Sequence, residues 1–465
     1  MTQAPPNRAL SGWVLLATRQ AAITVVTFAG VVALGRLLGP GDFALYGYTT
    51  ITVVLGLALG DFGMAARIIR DDDAAPLLGR ALGAQLLALA GIVALTAAAL
   101  PFVPSGDRGA LAALVVAFAL AALQTLPTAL LERSQDFHAL RWIEVVQRTL
   151  FVALAVVLAV TASERLAVPL AGAVAGVFGY LAAARAARWR ARPAFTELRS
   201  LVGGFSSHWW QGRVITQLTY AMLPLFGGVL FGTVENSHIV LALSFTSFIT
   251  LLAPLVARAT FPAMSRAAED ERVGIFREVF ALFFVVSVPV LAVVIVCAEE
   301  IIRLLFGAGW VPAADVLRAM CLPTLVGLTL TATLPLFYLS LDAGLVKRTL
   351  VAWLVAQAIV TPLAALPLDV LAVPLTSGAT AAAALIFLCA RLADVTGYRI
   401  LDDMAWPMLL GGVAMAAGLG VQELGEGYAV AALAGLVTVA AYGAAAWWRS
   451  PVVRDVRNVL ARARG

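Results

Sequence analysis

Three arginines stand inside stretches that are otherwise apolar enough to cross a lipid bilayer: Arg19, Arg148 and Arg213. A guanidinium is costly near the centre of a bilayer, so an arginine there indicates a function or a specific partner. Its planar, permanently charged fork matches the oxygens of a phosphate group. The three arginines therefore predict a cationic surface suited to phosphate. Two alternatives stay open: snorkelling of the side chain to the membrane interface, and neutralisation of Arg148 by Glu144 one turn earlier.

Other polar residues of the predicted spans suit the binding of sugar hydroxyls and the coupling of transport to an ion. The candidate binding set also includes Arg258, Gln20, Gln147 and Gln217. Amide side chains suit sugar hydroxyls, although hydrogen bonds between helices are an equally good explanation for any one glutamine. Asp61 and Glu144 are the candidates for coupling to an ion such as H+ or Na+, and their positions near helix ends favour a solvated role instead.

Several classes of site are disfavoured by the pattern of reactive residues. The cysteines and histidines are far apart in the sequence and lack the spacing of a disulfide framework or a metal site. The single lysine, Lys347, follows Val346, so the chain has no Gly-Lys-Ser/Thr phosphate loop for ATP. We expect no metal, no cofactor, no ATP-driven step and no nucleic-acid partner.

The composition requires a membrane environment for the elements that carry these residues. The chain has 465 residues, of which 62% are hydrophobic and 13% charged, whereas soluble domains have about 25% charged residues. A spanning helix needs about 20 mostly apolar residues. That rule predicts an all-α polytopic membrane protein with about 14 transmembrane helices. The predicted spans are 13–35, 43–63, 81–103, 109–131, 141–161, 165–184, 203–231, 237–260, 276–298, 313–338, 345–366, 369–391, 404–421 and 427–448.

The arginine distribution predicts the orientation. With both termini in the cytoplasm, 24 of the 32 lysines and arginines fall on the cytoplasmic side and 5 on the other, as the positive-inside rule requires. The spans that carry Arg19, Arg148 and Arg213 then all run outward from the cytoplasm. At 1.5 Å per residue, the three arginines stand at similar depths of about 9 to 15 Å.

A weak internal repeat divides the chain. The turn "LGRLLGPGDFALYGY" after span one matches "GGVLFGTVENSHIVL" after span seven, pairing Gly39 with Gly232 and Asp42 with Glu235. Such parallel repeats are typical of secondary transporters. The predicted organisation is residues 1–200 with helices 1–6, residues 201–395 with helices 7–12, and residues 396–465 with two further helices and a basic tail.

The same segments resemble a known family. "RLLGPGDFALYGY" with "LGDFGMAARIIR", and later "EEIIRLLFGAGWVPAADVLRAM", are similar to the corresponding helix ends of the polysaccharide and O-antigen flippases. That family belongs to a superfamily with the lipid II flippases and the multidrug and toxin extruders. The resemblance implies two pseudo-symmetric six-helix lobes around a central cavity, plus two C-terminal helices, and transport by alternating access.

The resemblance also implies the cargo. It indicates a polyprenyl-diphosphate-linked oligosaccharide, moved to the outer leaflet of a bacterial cytoplasmic membrane for O-antigen, capsule or exopolysaccharide synthesis. Its expected partners are membrane lipids, a polysaccharide polymerase and glycosyltransferases. A lipid II flippase and a cation-coupled multidrug exporter are alternatives, and the exporter fits less well because it needs acids rather than arginines. A membrane glycosyltransferase or polymerase is disfavoured because all outer loops are short.

Overall fold

The computed structural model is built from helices. It describes residues 6–64, 67–68, 75–134, 136–161, 164–196, 204–250, 264, 267–425 and 427–449. Within these residues there are fifteen α-helices and no strand. In lipid, backbone groups find no water to bond, so apolar spans of this length fold as helices. The predicted all-α polytopic fold class is confirmed.

Two compact units make up the chain, Met1–Pro224 and Leu225–Gly465. The helices that begin in the N-terminal unit are α1 Pro6–Asp42, α2 Ala44–Gly60, α3 Ala75–Ala99, α4 Arg108–Arg133, α5 Phe137–Thr161, α6 Glu164–Ala186 and α7 Gly204–Phe226. The helices of the C-terminal unit are α8 Thr233–Thr250, α9 Glu269–Val296, α10 Ala298–Phe306, α11 Ala313–Ser340, α12 Ala343–Leu368, α13 Ala372–Thr396, α14 Ile400–Gln422 and α15 Tyr428–Arg449. The three-part division drawn from the sequence stays a prediction.

Every predicted span contains a helix of the described chain. Among the described residues, nine helical segments are long and apolar enough to cross a membrane, and a bent pair raises the number to ten. One of the nine, Ala343–Thr396, contains both α12 and α13, and α2 and α15 are shorter apolar helices. The bent pair is α9 with α10, which meet at 75°. The chain is therefore a multi-pass membrane protein. Of the helices in the described residues, α10 is the one that the sequence analysis did not predict.

The turn predicted to recur in the two halves has the same backbone conformation in both. Gly39, where α1 kinks, has φ 64° and ψ −178°, and Gly232, just before α8, has φ 94° and ψ −175°. A side chain disfavours positive φ, so glycine is the natural residue at both positions. This shared conformation supports the pairing of Gly39 with Gly232.

Glycines allow α2 to lie directly on α4. A Cβ on Gly56 would lie 2.6 Å from the carbonyl oxygen of Phe118, and one on Gly60 would lie 2.6 Å from the Cα of Ala122. Small residues of this kind let helix backbones approach closely in membranes. Gln85 of α3 strengthens the junction, because its Nε2 donates to the carbonyl oxygen of Gly60 at 2.6 Å. The C-terminal end of α2 is thereby held in place.

In the C-terminal unit, a polar contact ties α9 to the start of α14. Arg277 forms an ion pair with Asp403 at 2.9 Å, and the hydroxyl of Tyr398 donates to the other carboxylate oxygen at 2.7 Å. Burial, together with the hydrogen bond to Asp403, raises the pKa of Tyr398 well above its usual range. The phenol therefore stays protonated and donates at any physiological pH.

We expect Tyr398→Phe to destabilise the protein by about 1 kcal/mol, because it removes one hydrogen bond from a carboxylate that has to stay solvated or bonded. Asp403→Asn should cost more, since it weakens the Arg277 contact as well. Thermal unfolding of the purified protein in detergent measures both. Tyr428→Phe, at an exposed tyrosine, is the control. Equal melting temperatures for Tyr398→Phe and the control would contradict the assignment.

Candidate functional site

Arg148 lies among side chains from three helices. Its Nε donates to Thr27 Oγ1 of α1 at 2.7 Å, and its Nη2 donates to the hydroxyl of Tyr46 of α2 at 3.3 Å. On its own helix, the guanidinium carbon lies 5.2 Å from the centroid of the Phe151 ring. We call these four residues the Arg148 cluster.

Close helix packing positions the Arg148 cluster. A Cβ on Gly30 of α1 would lie 2.6 Å from Val152, so only a glycine allows α1 this close to α5. That approach brings Thr27 to Arg148. Tyr46 is almost fully buried and stacks on Phe43 with ring centroids 5.3 Å apart, which holds its hydroxyl in place.

Among the residues that the structure describes, no carboxylate forms an ion pair with Arg148. In the described part of the chain, its guanidinium bonds only to hydroxyl groups and an aromatic face. Arginine has five N–H donors, and two are used here. A half-buried cation with donors to spare is a favourable site for an anion, because the attraction is strong where water is scarce.

Arg213 has a different environment. Its Nη1 lies 4.0 Å from the Oδ2 of Asp61, and its side chain is 50% exposed whereas that of Asp61 is 11% exposed. The neighbouring Trp210 donates from Nε1 to the carbonyl oxygen of Ala58 at 2.8 Å and stacks on Phe62 at 5.7 Å. Helix α7 is thus attached to the C-terminal end of α2, and we call these five residues the Asp61 cluster.

The backbone at the Asp61 cluster is strained. Phe62 has φ 47° and Gly63 has φ 71°. A bulky residue seldom occupies the left-handed region, and such outliers concentrate at functional sites and switch regions. The stacking of Phe62 on Trp210 helps to maintain this conformation. The strained turn, the buried carboxylate and the arginine therefore lie at one point of the N-terminal unit.

We expect Arg213→Glu to lower the free energy of unfolding by about 1 kcal/mol more than Arg213→Gln does, because the new carboxylate would face Asp61. Adding Asp61→Asn to Arg213→Glu should return the melting temperature to that of Arg213→Gln. Thermal unfolding of the single and double variants measures this relief. An Arg213→Glu protein that gains nothing from Asp61→Asn would show that the two side chains do not interact.

Gln147 makes a contact between helices. It exchanges hydrogen bonds with Gln124 of α4 at 3.0 and 3.2 Å, and its amide packs against Gly179 of α6. This is the interhelical alternative that the sequence left open. The role of Gln147 as a ligand for sugar stays a prediction, and this geometry gives it no support.

The other predicted site residues are only partly placed. Arg19 and Gln20 lie on α1, but their side chains are outside the described part of the structure, and Arg258 falls within the undescribed residues 251–263. Gln217 on α7 and Glu144 on α5 are half-buried. Among the described residues, no group of three or more His, Cys, Asp or Glu is arranged to hold a metal ion.

The structure separates Arg148 from Arg213. Arg148 reaches Tyr46 near the first turn of α2, and Arg213 reaches Asp61 just beyond the last. These two positions are 15 residues apart, so their backbones are separated by about 22 Å along the helix axis. The two arginines thus contact opposite ends of α2, and the equal depth of all three arginines in the membrane stays a prediction.

Sequence reasoning missed Thr27 and Phe151 as neighbours of Arg148. Tyr46 had a weak signal, as an aromatic residue with a polar end inside a span. No local pattern connects Thr27 to Arg148, which is 121 residues away. Only the packing of α1 on α5 brings the two together.

The chain is similar to known membrane transport proteins. The family described as "Polysaccharide biosynthesis protein" matches residues 33–315. A solved structure of the lipid II flippase MurJ in an inward closed conformation has a TM-score of 0.75 and 11% identity, covering 95% of this chain and 99% of that one. An inward-facing multidrug resistance MATE family transporter of the MOP superfamily has a TM-score of 0.60 and 14% identity, covering 81% and 96%. No curated protein matches in sequence. At these identities, the two structures indicate a shared fold.

Proposed function

The chain belongs to the polysaccharide biosynthesis protein family, and we propose that it is a flippase for a polyprenyl-diphosphate-linked oligosaccharide. It carries the diphosphate head from the cytoplasmic to the outer leaflet of a bacterial cytoplasmic membrane by alternating access. The product serves synthesis of a surface polysaccharide such as O-antigen, capsule or exopolysaccharide. The chain acts as a transporter rather than an enzyme, with glycosyltransferases and a polymerase as its partners.

The single observation that carries the proposal is the half-buried guanidinium of Arg148, which forms no ion pair within the described part of the chain. A diphosphate has to leave water in order to cross hydrocarbon, and a fixed cation that already lies at low dielectric offsets that cost. The unused N–H donors of Arg148 provide the paired geometry that phosphate oxygens accept. Arg19 and Arg258 are proposed to add positive charge along the same route, with Gln20 and Gln217 binding sugar hydroxyls.

We assign energy coupling to an H+ or Na+ gradient, with Asp61 as the first candidate and Glu144 as the second. Asp61 is largely buried and lies beside Arg213 and a strained turn. Binding of a cation by this carboxylate would weaken its attraction to Arg213 and change the contact between α2 and α7.

A second candidate substrate is lipid II, which is also a polyprenyl-diphosphate-linked sugar. The TM-score of 0.75 to a lipid II flippase favours it over multidrug export. The charge of Arg148 also disfavours a cationic drug as cargo. Both remaining candidates share the diphosphate chemistry and differ in the attached glycan.

Transport by purified protein tests the proposal. Proteoliposomes containing a fluorescent polyprenyl-diphosphate disaccharide should move it between leaflets without ATP, at a rate that changes when the proton or sodium gradient collapses. A polyprenyl glycoside without phosphate should move much more slowly. Transport that is indifferent to the diphosphate, or that requires ATP hydrolysis by this chain, would refute the proposal.

The orientation is tested by cysteine labelling in a variant without Cys297, Cys321 and Cys389, all of which are buried. We expect cysteines placed at Gly106 and Gly425 to react with a membrane-impermeant thiol reagent in intact cells. A cysteine at Arg192 should react only after lysis, because the arginine bias assigns it to the cytoplasm. Labelling at Arg192 in intact cells would reverse the direction of transport proposed here.

A further inference from the structure

The segment that follows α6 begins with an arginine in the left-handed backbone conformation. Helix α6 ends in a Schellman motif, in which Trp189 N–H bonds to the Ala184 carbonyl at 2.8 Å and Arg188 N–H bonds to the Arg185 carbonyl at 3.2 Å. The left-handed position of this motif normally holds glycine. Here it holds Arg188, with φ 50°. An arginine is maintained where a glycine would be less strained, which indicates that its side chain has a use.

The next residues are bound to α3 through their backbone. Ala194 N–H donates to the Gly79 carbonyl at 2.8 Å. A Cβ on Gly79 would lie 2.8 Å from the Arg192 carbonyl oxygen, and a Cβ on Gly83 would overlap the carbonyl of Ala194. Two glycines one helical turn apart therefore form the groove in which this segment lies. We call residues 187–196 the docked segment.

Side chains of the docked segment alternate between two environments. Trp189 and Ala191 pack on a hydrophobic cluster that includes Met64, Leu82 and Leu126. The side chains of Arg188, Arg190 and Arg192 are exposed. Since the backbone is docked on α3, these three exposed side chains leave the protein from fixed backbone positions, and we call the three residues the row of arginines.

The row of arginines lies in a basic stretch of the sequence, whose nearest acid is Glu197, five residues after Arg192. No Asp or Glu occurs from Arg185 to Thr196, and no ion pair to Arg188, Arg190 or Arg192 is found in the part of the chain that the structure describes. The row begins two residues after Ala186, where a candidate membrane span ends. It therefore lies at the level of the lipid headgroups.

We infer that the docked segment is a binding surface for anionic phospholipid headgroups of the adjacent leaflet. Basic clusters immediately beside a transmembrane helix attract anionic lipids, and arginine bonds to phosphate oxygens through two parallel N–H groups. This inference goes beyond the proposed transport function and does not depend on the identity of the cargo.

Native mass spectrometry of the full chain, titrated with phosphatidylglycerol, tests the inference. We expect about 100-fold weaker binding of this lipid by the triple variant Arg188→Gly, Arg190→Gln, Arg192→Gln. Each arginine near the membrane surface contributes roughly fivefold to the affinity, and the variant removes three. Its melting temperature should not fall, because Arg188→Gly relieves the left-handed strain. Phosphatidylcholine binding should be unchanged.

Two further variants separate position from charge. Lys347→Gln, Arg348→Gln, Arg391→Gln removes the same charge elsewhere, from sites that include the Arg348–Asp342 and Arg391–Asp394 pairs, and should retain tight binding. Gly83→Val keeps all the arginines but displaces the docked segment, and should lose tight binding. Three results would each overturn the inference. The first is an equal loss of phosphatidylglycerol affinity in the two triple variants, and the second is full affinity in Gly83→Val. The third is competition by millimolar inorganic phosphate that is as effective as competition by lipid.

Discussion

Arg148→Lys is expected to lower glycan export about 10- to 100-fold, and Arg148→Ala to abolish it, at normal expression. Lysine keeps the charge but loses the planar fork, and with it the hydrogen bonds that orient the group between Thr27 and Tyr46. Charge-assisted hydrogen bonds of this kind contribute about 1.5–3 kcal/mol. Complementation of a strain that lacks its own flippase measures the effect in cells, and the proteoliposome assay measures it with purified protein.

Arg141→Lys is the matched control for Arg148→Lys. Arg141 lies two turns earlier on the same helix, where its guanidinium carbon is 5.5 Å from the centroid of the Trp142 ring. A general effect of arginine-to-lysine changes on α5 would impair both variants equally. Transport by Arg148→Lys at the rate of Arg141→Lys would show that the fork of Arg148 does not bind the diphosphate.

Gly60→Ala is expected to destabilise the protein by about 3 kcal/mol, the upper range for overpacking a tight interface. The added methyl group would lie 2.6 Å from the Cα and 2.7 Å from the carbonyl oxygen of Ala122, and backbone atoms in the middle of α4 cannot move aside. Export should fall in parallel, since the displaced end of α2 carries Asp61. Thermal unfolding and the yield of monodisperse protein measure the loss.

Gly91→Ala is the control, and we expect it to change the stability in the opposite direction to Gly60→Ala. Gly91 is also helical, and a methyl group added there would have no neighbour within 4 Å among the described residues, so alanine meets open space. Alanine is favoured over glycine in a helix by about 1 kcal/mol. We therefore expect Gly91→Ala to raise the melting temperature slightly. A Gly60→Ala protein as stable as Gly91→Ala would refute the close α2–α4 contact.

The helices of this protein could be predicted from sequence for a simple physical reason. A chain in lipid has to satisfy its own backbone hydrogen bonds, so an apolar stretch of sufficient length is a helix. The turn at Gly39 could also be matched to Gly232, because a positive φ requires the same residue at both places. Helix α10 was missed, since it has only nine residues, three of them charged, and is therefore too short and too polar to count as a span.

The neighbours of each arginine were decided by the tertiary structure. The sequence identified Arg148 and Arg213 as unusual, but it could not show that Arg148 bonds to neutral hydroxyls whereas Arg213 lies beside Asp61. A helix that is apolar all round has no polar face to indicate its rotation. Its rotation and depth depend on close contacts such as Gly30 with Val152, between helices distant in sequence. The apolar composition thus determined the helices, and the packing of small residues determined which charges are compensated.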